Sequence, residues 1–212
     1  MPQILKVSAD HSEEDVITSA AAIVSRGGVI AYPTETIYGL GVDATNEEAI
    51  RRIFEIKGRN FNNPISVIIG NAQDVYPLVR KVTDTARKLM DAFWPGPLTI
   101  VFESADSVSP LLTANTGKIG IRLSSHDAAR KIAKAAGKPL TATSANLSGA
   151  SECMDADQVI QQIGDKIDAV VDLGKTSSLL ASTIIDASCE PAEILRPGVI
   201  SREIIQKFIY LK

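Results

Sequence analysis

Four apolar stretches of this chain end in residues that bind anions or donate hydrogen bonds. Val29-Ile30-Ala31-Tyr32 runs into Pro33-Thr34-Glu35-Thr36, and Ile119-Gly120-Ile121 into Arg122 and Leu123-Ser124-Ser125-His126. Residues 139–143 run into Ser144-Ala145-Asn146, and Glu193-Ile194-Leu195 into Arg196-Pro197-Gly198. An arginine directly after a buried strand is costly unless it is solvated or paired. The carboxyl ends of strands in open α/β sheets form the ligand crevice. Two arginines and several hydroxyls at such ends therefore predict a site for an anion. Lys57 and Arg59 add to it. Lys57 lies seven residues after Ile50 and four after Ile53, on the inward stripe of a helix that Gly58 ends, and Arg59 faces the same way if the exit is extended. Ser144 and Asn146 share that two-residue spacing. A Lys/Arg pair with hydroxyl and amide donors suits a polyphosphate.

Each of these residues also has a plainer role. Lys57 and Arg59 complement the negative end of a helix dipole. Ser144 to Asn146, followed by Ser148-Gly149, is turn chemistry. Arg122 and Arg196 can pair with neighbouring acids. In the first stretch, AYPTETIYGLG, Thr34 is the expected substrate contact and Thr36 a weaker one. Glu35 is placed to orient a cation such as Arg122, Tyr38 reads as packing, and Gly39 and Gly41 as a backbone turn beside a ligand.

Three motif shapes mislead. Residues 39–44, GLGVDA, match the outline of a dinucleotide fingerprint, but PTETIY separates them from the strand and no helix opens there. AVVDLGKT at 169–176 resembles a phosphate loop, yet Val170, Val171 and Leu173 read as a strand. His11 and His126 are the only histidines, too few for a triad or metal centre to be the leading idea.

Around these residues, helical and strand patterns alternate. Ser12 with Asp15 forms a capping box before a helix that Gly27-Gly28 stops, and Asn46 and Asp155 cap two more. Further helices are expected over residues 72–80, 83–93 and 126–136, with a last one from Ser201. Strands are expected over 29–32, 65–69, 98–102, 119–123, 139–143, 169–173, 183–186 and 193–195, and a mobile loop over 104–118. This alternation predicts an α/β protein with a mixed, largely parallel open sheet and flanking helices.

The length of 212 residues fits one domain, 1–212, and 45% hydrophobic residues exclude disorder for the bulk of the chain. A net charge of −3 gives no global field for nucleic acid, so any anion site is a local cluster. Cys153 and Cys189 form no CxxC, which argues against a disulfide framework or zinc site and for a reducing, cytoplasmic setting; both read as small buried hydrophobes. The acidic start, MPQILKVSADHSEED, reads as no signal peptide, and no apolar stretch approaches the ~18 residues of a membrane span.

AYPTETIYGLG, KGRNFNNPIS, WPGPLTIV, IGIRLSS, TATSANLSG, STIID and ILRPG, in that order from about residue 16 to 200, resemble the YrdC-like family of threonylcarbamoyl-AMP synthases. The resemblance implies a twisted α/β sheet with a concave, cationic cavity. It implies condensation of L-threonine, bicarbonate or CO2 and ATP, with Mg2+, into threonylcarbamoyl-AMP and pyrophosphate. A threonylcarbamoyl transferase complex acting on tRNA would be the partner, with at most weak direct RNA binding and no membrane. The family's K-x-R and S-x-N elements match Lys57, Arg59, Ser144 and Asn146, around the nucleotide together with Arg196. Thr34, Arg122 and Ser182 match residues on the threonine side, with Ser66 beside them. Asn60 and Ser124 stand where the family often has proline, which bears on loop stiffness. The chain resembles the single-domain form of the family. A rival reading is an RNA-binding module in tRNA or ribosome maturation. The negative net charge and 5% aromatic content weigh against it.

Overall fold

Four of the five described helices of eight or more residues begin where the sequence supplies a side-chain cap. Ser12, Asn46, Thr83 and Asp155 each accept the backbone N–H three residues on, satisfying a donor the helix itself leaves open. The computed structural model describes residues 1–176, 178 and 180–212. Its elements run β1 (Gln3–Lys6), α1 (Glu13–Ser25), β2 (Ile30–Tyr32), β3 (Gly39–Gly41), α2 (Glu47–Lys57), β4 (Val67–Ile68), α3 (Asp84–Phe93), β5 (Leu98–Glu103) and α4 (Pro110–Thr113). There follow β6 (Lys118–Arg122), α5 (Asp127–Ala136), β7 (Leu140–Thr141), β8 (Thr143–Ser144), α6 (Ala156–Ile163), β9 (Ala169–Asp172), β10 (Thr183–Asp186), β11 (Glu193–Arg196) and α7 (Arg202–Ile205).

The α/β class and the mixed, open sheet with flanking helices are as expected, but the strands form two sheets. Their orders are β1-β9-β2-β3-β8 and β11-β10-β5-β6-β4-β7. Among the described residues four of the nine strand pairings are parallel and five antiparallel, so the sheets are less parallel than the alternation of elements predicts. Residues 139–143, expected as one strand, are where the chain passes from sheet to sheet. β7 pairs with β4 in the larger sheet and β8 with β3 in the smaller. Between them the Ala142 N–H donates to the Ser66 carbonyl at 2.7 Å.

β3 corrects the reading of Gly39 and Gly41 as a turn. These glycines lie opposite Tyr32 and Ile30 in an antiparallel pair. A Cβ on Gly41 would stand 2.6 Å from Tyr32 Cε1, and one on Gly39 3.0 Å from Cζ, so the glycines make room for the ring. Burial raises the Tyr32 phenol's pKa, and its hydroxyl donates to the Thr141 carbonyl at 2.9 Å. Other differences are local. β1 is a strand that the acidic start concealed. Ala72–Leu78 winds as a 3-10 helix around Pro77. The 104–118 segment holds α4, whose Leu112 is buried and accepts the Ile65 N–H at 2.9 Å. Cys153 is buried as expected, whereas Cys189 is exposed.

Two apolar cores hold the sheets. Val16, Ala20 and Val24 of α1 meet Ala129 and Ile132 of α5 over Ile30, Tyr32 and Val171. The larger core takes Ile50, Ile53 and Phe54 of α2, together with Val67, Ile100, Phe102, Ile119 and Ile121 of the larger sheet. Each such side chain contributes about 1.5–3 kcal/mol on burial. Among the described residues no helix is long and apolar enough to cross a membrane.

Candidate active site

The loop after β2, the ends of β6 and β8, and the outer strand β11 converge on a cavity of about 130 Å³. Thr34, Arg59, Ser66, Arg122, Ser144, Ser182 and Arg196 line it. Lys57 and Asn146, predicted for the same site, stand behind the wall. Lys57 is the last residue of α2, 3% exposed, and Gly58 ends the helix in the left-handed region at φ 58°. Its Nζ donates to the Ser144 carbonyl at 2.6 Å, the Asn146 carbonyl at 2.8 Å and Asn146 Oδ1 at 3.0 Å. An ammonium has three protons, and all three are engaged. Burial, with Arg59's charge adding to it, pulls this group down to about 8, against three oxygens that favour its charged form. Ser144 Oγ also donates to Asn146 Oδ1, at 2.7 Å. Lys57 thus holds the Ser144–Asn146 turn in shape.

Arg59 and Arg196 are more open. Arg59 Nη1 donates to Thr143 Oγ1 at 3.1 Å and Nη2 to the Pro64 carbonyl at 2.9 Å, while its buried Nε has no partner. Arg196 Nη2 donates to the Ser182 carbonyl at 2.8 Å and to Ser182 Oγ at 3.2 Å. Burial lowers both guanidinium pKa values; Arg196 lowers Arg59's further, and nearby Glu152 works the other way on Arg196. Neither arginine, nor Lys57, has an ion pair among the described residues. Arg122 does: its Nη2 meets Glu35 Oε2 at 2.8 Å, as the placing of Glu35 anticipated, and Thr36 Oγ1 at 3.2 Å. Burial opposes Glu35's charge, but Arg122 and the hydrogen bonds from Arg122 and Ser124 hold its carboxyl below the usual range.

Thr34 has no hydrogen-bonding capacity left. Its hydroxyl donates to the Ile37 carbonyl at 2.7 Å and accepts the Thr36 N–H at 3.1 Å and the Thr36 hydroxyl at 2.9 Å. Ser66 carries no hydroxyl bond among the described residues. It has room because residue 120 is glycine, where a Cβ would stand 2.6 Å from Ser66 Oγ. Tyr38, read as packing, is buried but also lines the cavity, and its hydroxyl donates to the Gly174 carbonyl at 2.8 Å. Among the lining residues that sequence reasoning missed, Thr99, Thr143 and Glu152 carry polar side chains that matter to the site. Thr99 shares a 2.9 Å bond with Ser182 Oγ, and its position between Leu98 and Ile100 was the available signal, since alternate strand residues share a face. Glu152 sits in an irregular polar loop with no pattern to mark it.

A family model for Sua5/YciO/YrdC, described as telomere recombination, matches residues 22–198. The chain belongs to the Sua5/YciO/YrdC family. It is 36% identical over 200 residues to a threonylcarbamoyl-AMP synthase of Pyrococcus abyssi, covering 94% of this chain and 59% of the relative. It is 37% identical over 194 residues to one of Bacillus subtilis, covering 91% and 56%. The fold superimposes on the crystal structure of P. abyssi Sua5 complexed with L-threonine with a TM-score of 0.92 and 33% identity, over 100% of this chain and 62% of that one. This family member therefore spans about three-fifths of the length of these relatives.

Proposed function

We propose that this chain is an L-threonylcarbamoyl-AMP synthase, joining L-threonine, bicarbonate or CO2 and ATP into threonylcarbamoyl-AMP with release of pyrophosphate. The observation that carries this reading is the convergence of three arginines and the hydroxyls of Ser66, Ser144 and Ser182 on one small cavity. Relatives bearing that name, and the threonine complex of P. abyssi Sua5, support it. The catalytic unit is taken to span residues 1–212.

The chemistry asks for little covalent help. The threonine amine captures CO2, forming an N–C bond and losing a proton. A carbamate oxygen then attacks the α-phosphorus and pyrophosphate leaves. Positioning and charge stabilisation do most of the work. Arg122 receives the amino-acid carboxylate or the carbamate, Ser66 and Ser182 orient the ligand, and the Thr34 methyl packs against it. Arg59 and Arg196 face the phosphates, and Lys57 with Asn146 holds Ser144 toward them. Mg2+ arrives as part of the ATP substrate. Among the described residues no three His, Cys, Asp or Glu side chains gather to hold an ion, and Glu152 is the carboxylate in the lining. The product passes to a threonylcarbamoyl transferase complex acting on tRNA in the cytoplasm, and direct RNA contact is weak.

Pyrophosphate release with L-threonine, bicarbonate and ATP, each omitted in turn, tests this reading. Release should require all three. Salt-dependent RNA binding without turnover would replace it with the RNA-binding module.

A further inference from the structure

The 34–36 loop follows a strand of the smaller sheet and Arg122 ends a strand of the larger one. One buried polar chain joins them at the cavity. Ser124 Oγ accepts the His126 N–H at 3.2 Å and donates to Glu35 Oε2, the same oxygen that receives Arg122 Nη2 at 2.8 Å. Arg122 Nη2 also reaches Thr36 Oγ1 at 3.2 Å. The direction of the remaining bonds is fixed by counting protons. The Thr34 hydroxyl proton goes to the Ile37 carbonyl, so in the Thr34–Thr36 contact Thr36 is the donor. Thr36 therefore has a lone pair to offer Arg122, which suits a cation.

The Nη2 edge of Arg122 is thus fully held, while Nη1 carries no bond among the described residues. The atoms that would complete a two-pronged fork, Arg122 Nε and Glu35 Oε1, are both buried and without partners. Glu35 Oε2 therefore serves Arg122 and Ser124 together. Its carboxyl stays ionised, which suits holding a cation and not taking a proton from an amine.

We propose that Glu35, Thr36 and Ser124 are positioning residues that pin the Arg122 guanidinium by its Nη2 edge and present Nη1 to the anionic end of the amino-acid substrate. This rests on the synthase reading for the identity of the ligand, though not for the pinning itself.

Two measurements test it on the intact protein. The first is steady-state kinetics of Glu35→Gln, Ser124→Ala and Ser124→Thr. Glu35→Gln should raise the L-threonine KM by about 10-fold or more, leaving the ATP KM within about 2-fold. Ser124→Ala should raise the threonine KM about 3-fold, and Ser124→Thr, which keeps the hydroxyl, should restore it. A threonine KM unchanged in Ser124→Ala and Glu35→Gln, or KM values for both substrates rising together, overturns the proposal. The second measurement needs no ligand: nitrogen NMR of the Arg122 guanidinium, assigned by its loss in Arg122→Lys. Rotation about its terminal bonds should be slow in the unaltered protein and fast in Ser124→Ala, a mild change should Glu35→Gln fail to fold. Fast rotation in the unaltered protein overturns the pinning, and equally slow rotation in the two overturns the part assigned to Ser124. If the unaltered protein shows no threonine-dependent turnover, the synthase reading fails while the NMR still decides the pinning.

Discussion

In the cavity lining Arg122 is matched by a carboxylate 2.8 Å away; Arg59 and Arg196 in the same lining, and Lys57 behind the wall, have no ion pair among the described residues. The Arg122 end is close to neutral, while the Arg59 and Arg196 end carries positive charge with no paired carboxylate, opposed by nearby Glu152. A balanced end suits a small zwitterion, whose own charges need no large countercharge. An unbalanced end suits a polyanion, because charges held in place before the ligand arrives need no reorganisation. The same residue type therefore has two tasks, set by what stands beside it.

The strongest way to break this contrast is to remove Arg122. Arg122→Ala strands Glu35 as a buried, unpaired carboxylate, so denaturant unfolding should show a loss of about 3–5 kcal/mol. Threonine-dependent pyrophosphate release should fall below detection. An Arg122→Ala protein as stable as the unaltered one would mean the pair is not the matched end described.

Lys57 gives the next largest effect. Lys57→Met takes the Lys57 donor from the Ser144 and Asn146 carbonyls, while Asn146 Oδ1 keeps the Ser144 hydroxyl, at a cost of about 2–3 kcal/mol. The pH dependence has a definite sign. The folded-state pKa of about 8 lies below the unfolded value of about 10.4, so between them the unfolded chain binds more protons. Lys57 thus makes stability rise with pH from about 8 to about 10.4, and that slope should vanish in Lys57→Met. A slope of opposite sign would show that the three oxygens outweigh burial.

The smallest effect sharpens the contrast. Glu152→Gln removes the carboxylate near Lys57 and Arg196, and should tighten ATP about 2- to 3-fold at low salt, with no change for threonine. An equal change for both substrates would show that the two ends are not electrostatically distinct.

The parts of this molecule written in local chemistry were legible. Ser12, Asn46 and Asp155 announce helices because a cap acts within three residues of itself. The burial of Lys57 follows from its spacing to Ile50 and Ile53. Pairing was not legible, because strand partners such as β4 and β6 meet across more than fifty residues of chain. β3 was hidden because Gly39 and Gly41 look like a turn until Tyr32 is seen lying across them. Convergence on one cavity could be anticipated from strand ends. The saturation of Lys57 and Thr34 could not, since it depends on backbone carbonyls, which every residue carries alike. Ser124 is a further case: its departure from proline pointed only to loop stiffness, and its hydroxyl turns out to meet Glu35.

Arg196 sits on β11, the outermost strand of the larger sheet, opposite Ile184, where the register with β10 shifts. A strand bonded on one flank and bulged beside its functional residue opens at lower free energy than the strands inside the sheet. Deuterium should therefore enter the amides of β11 well before those of β5 and β6. A nucleotide gripped by Arg196 would close that gap, making the sheet's edge a built-in reporter of occupancy.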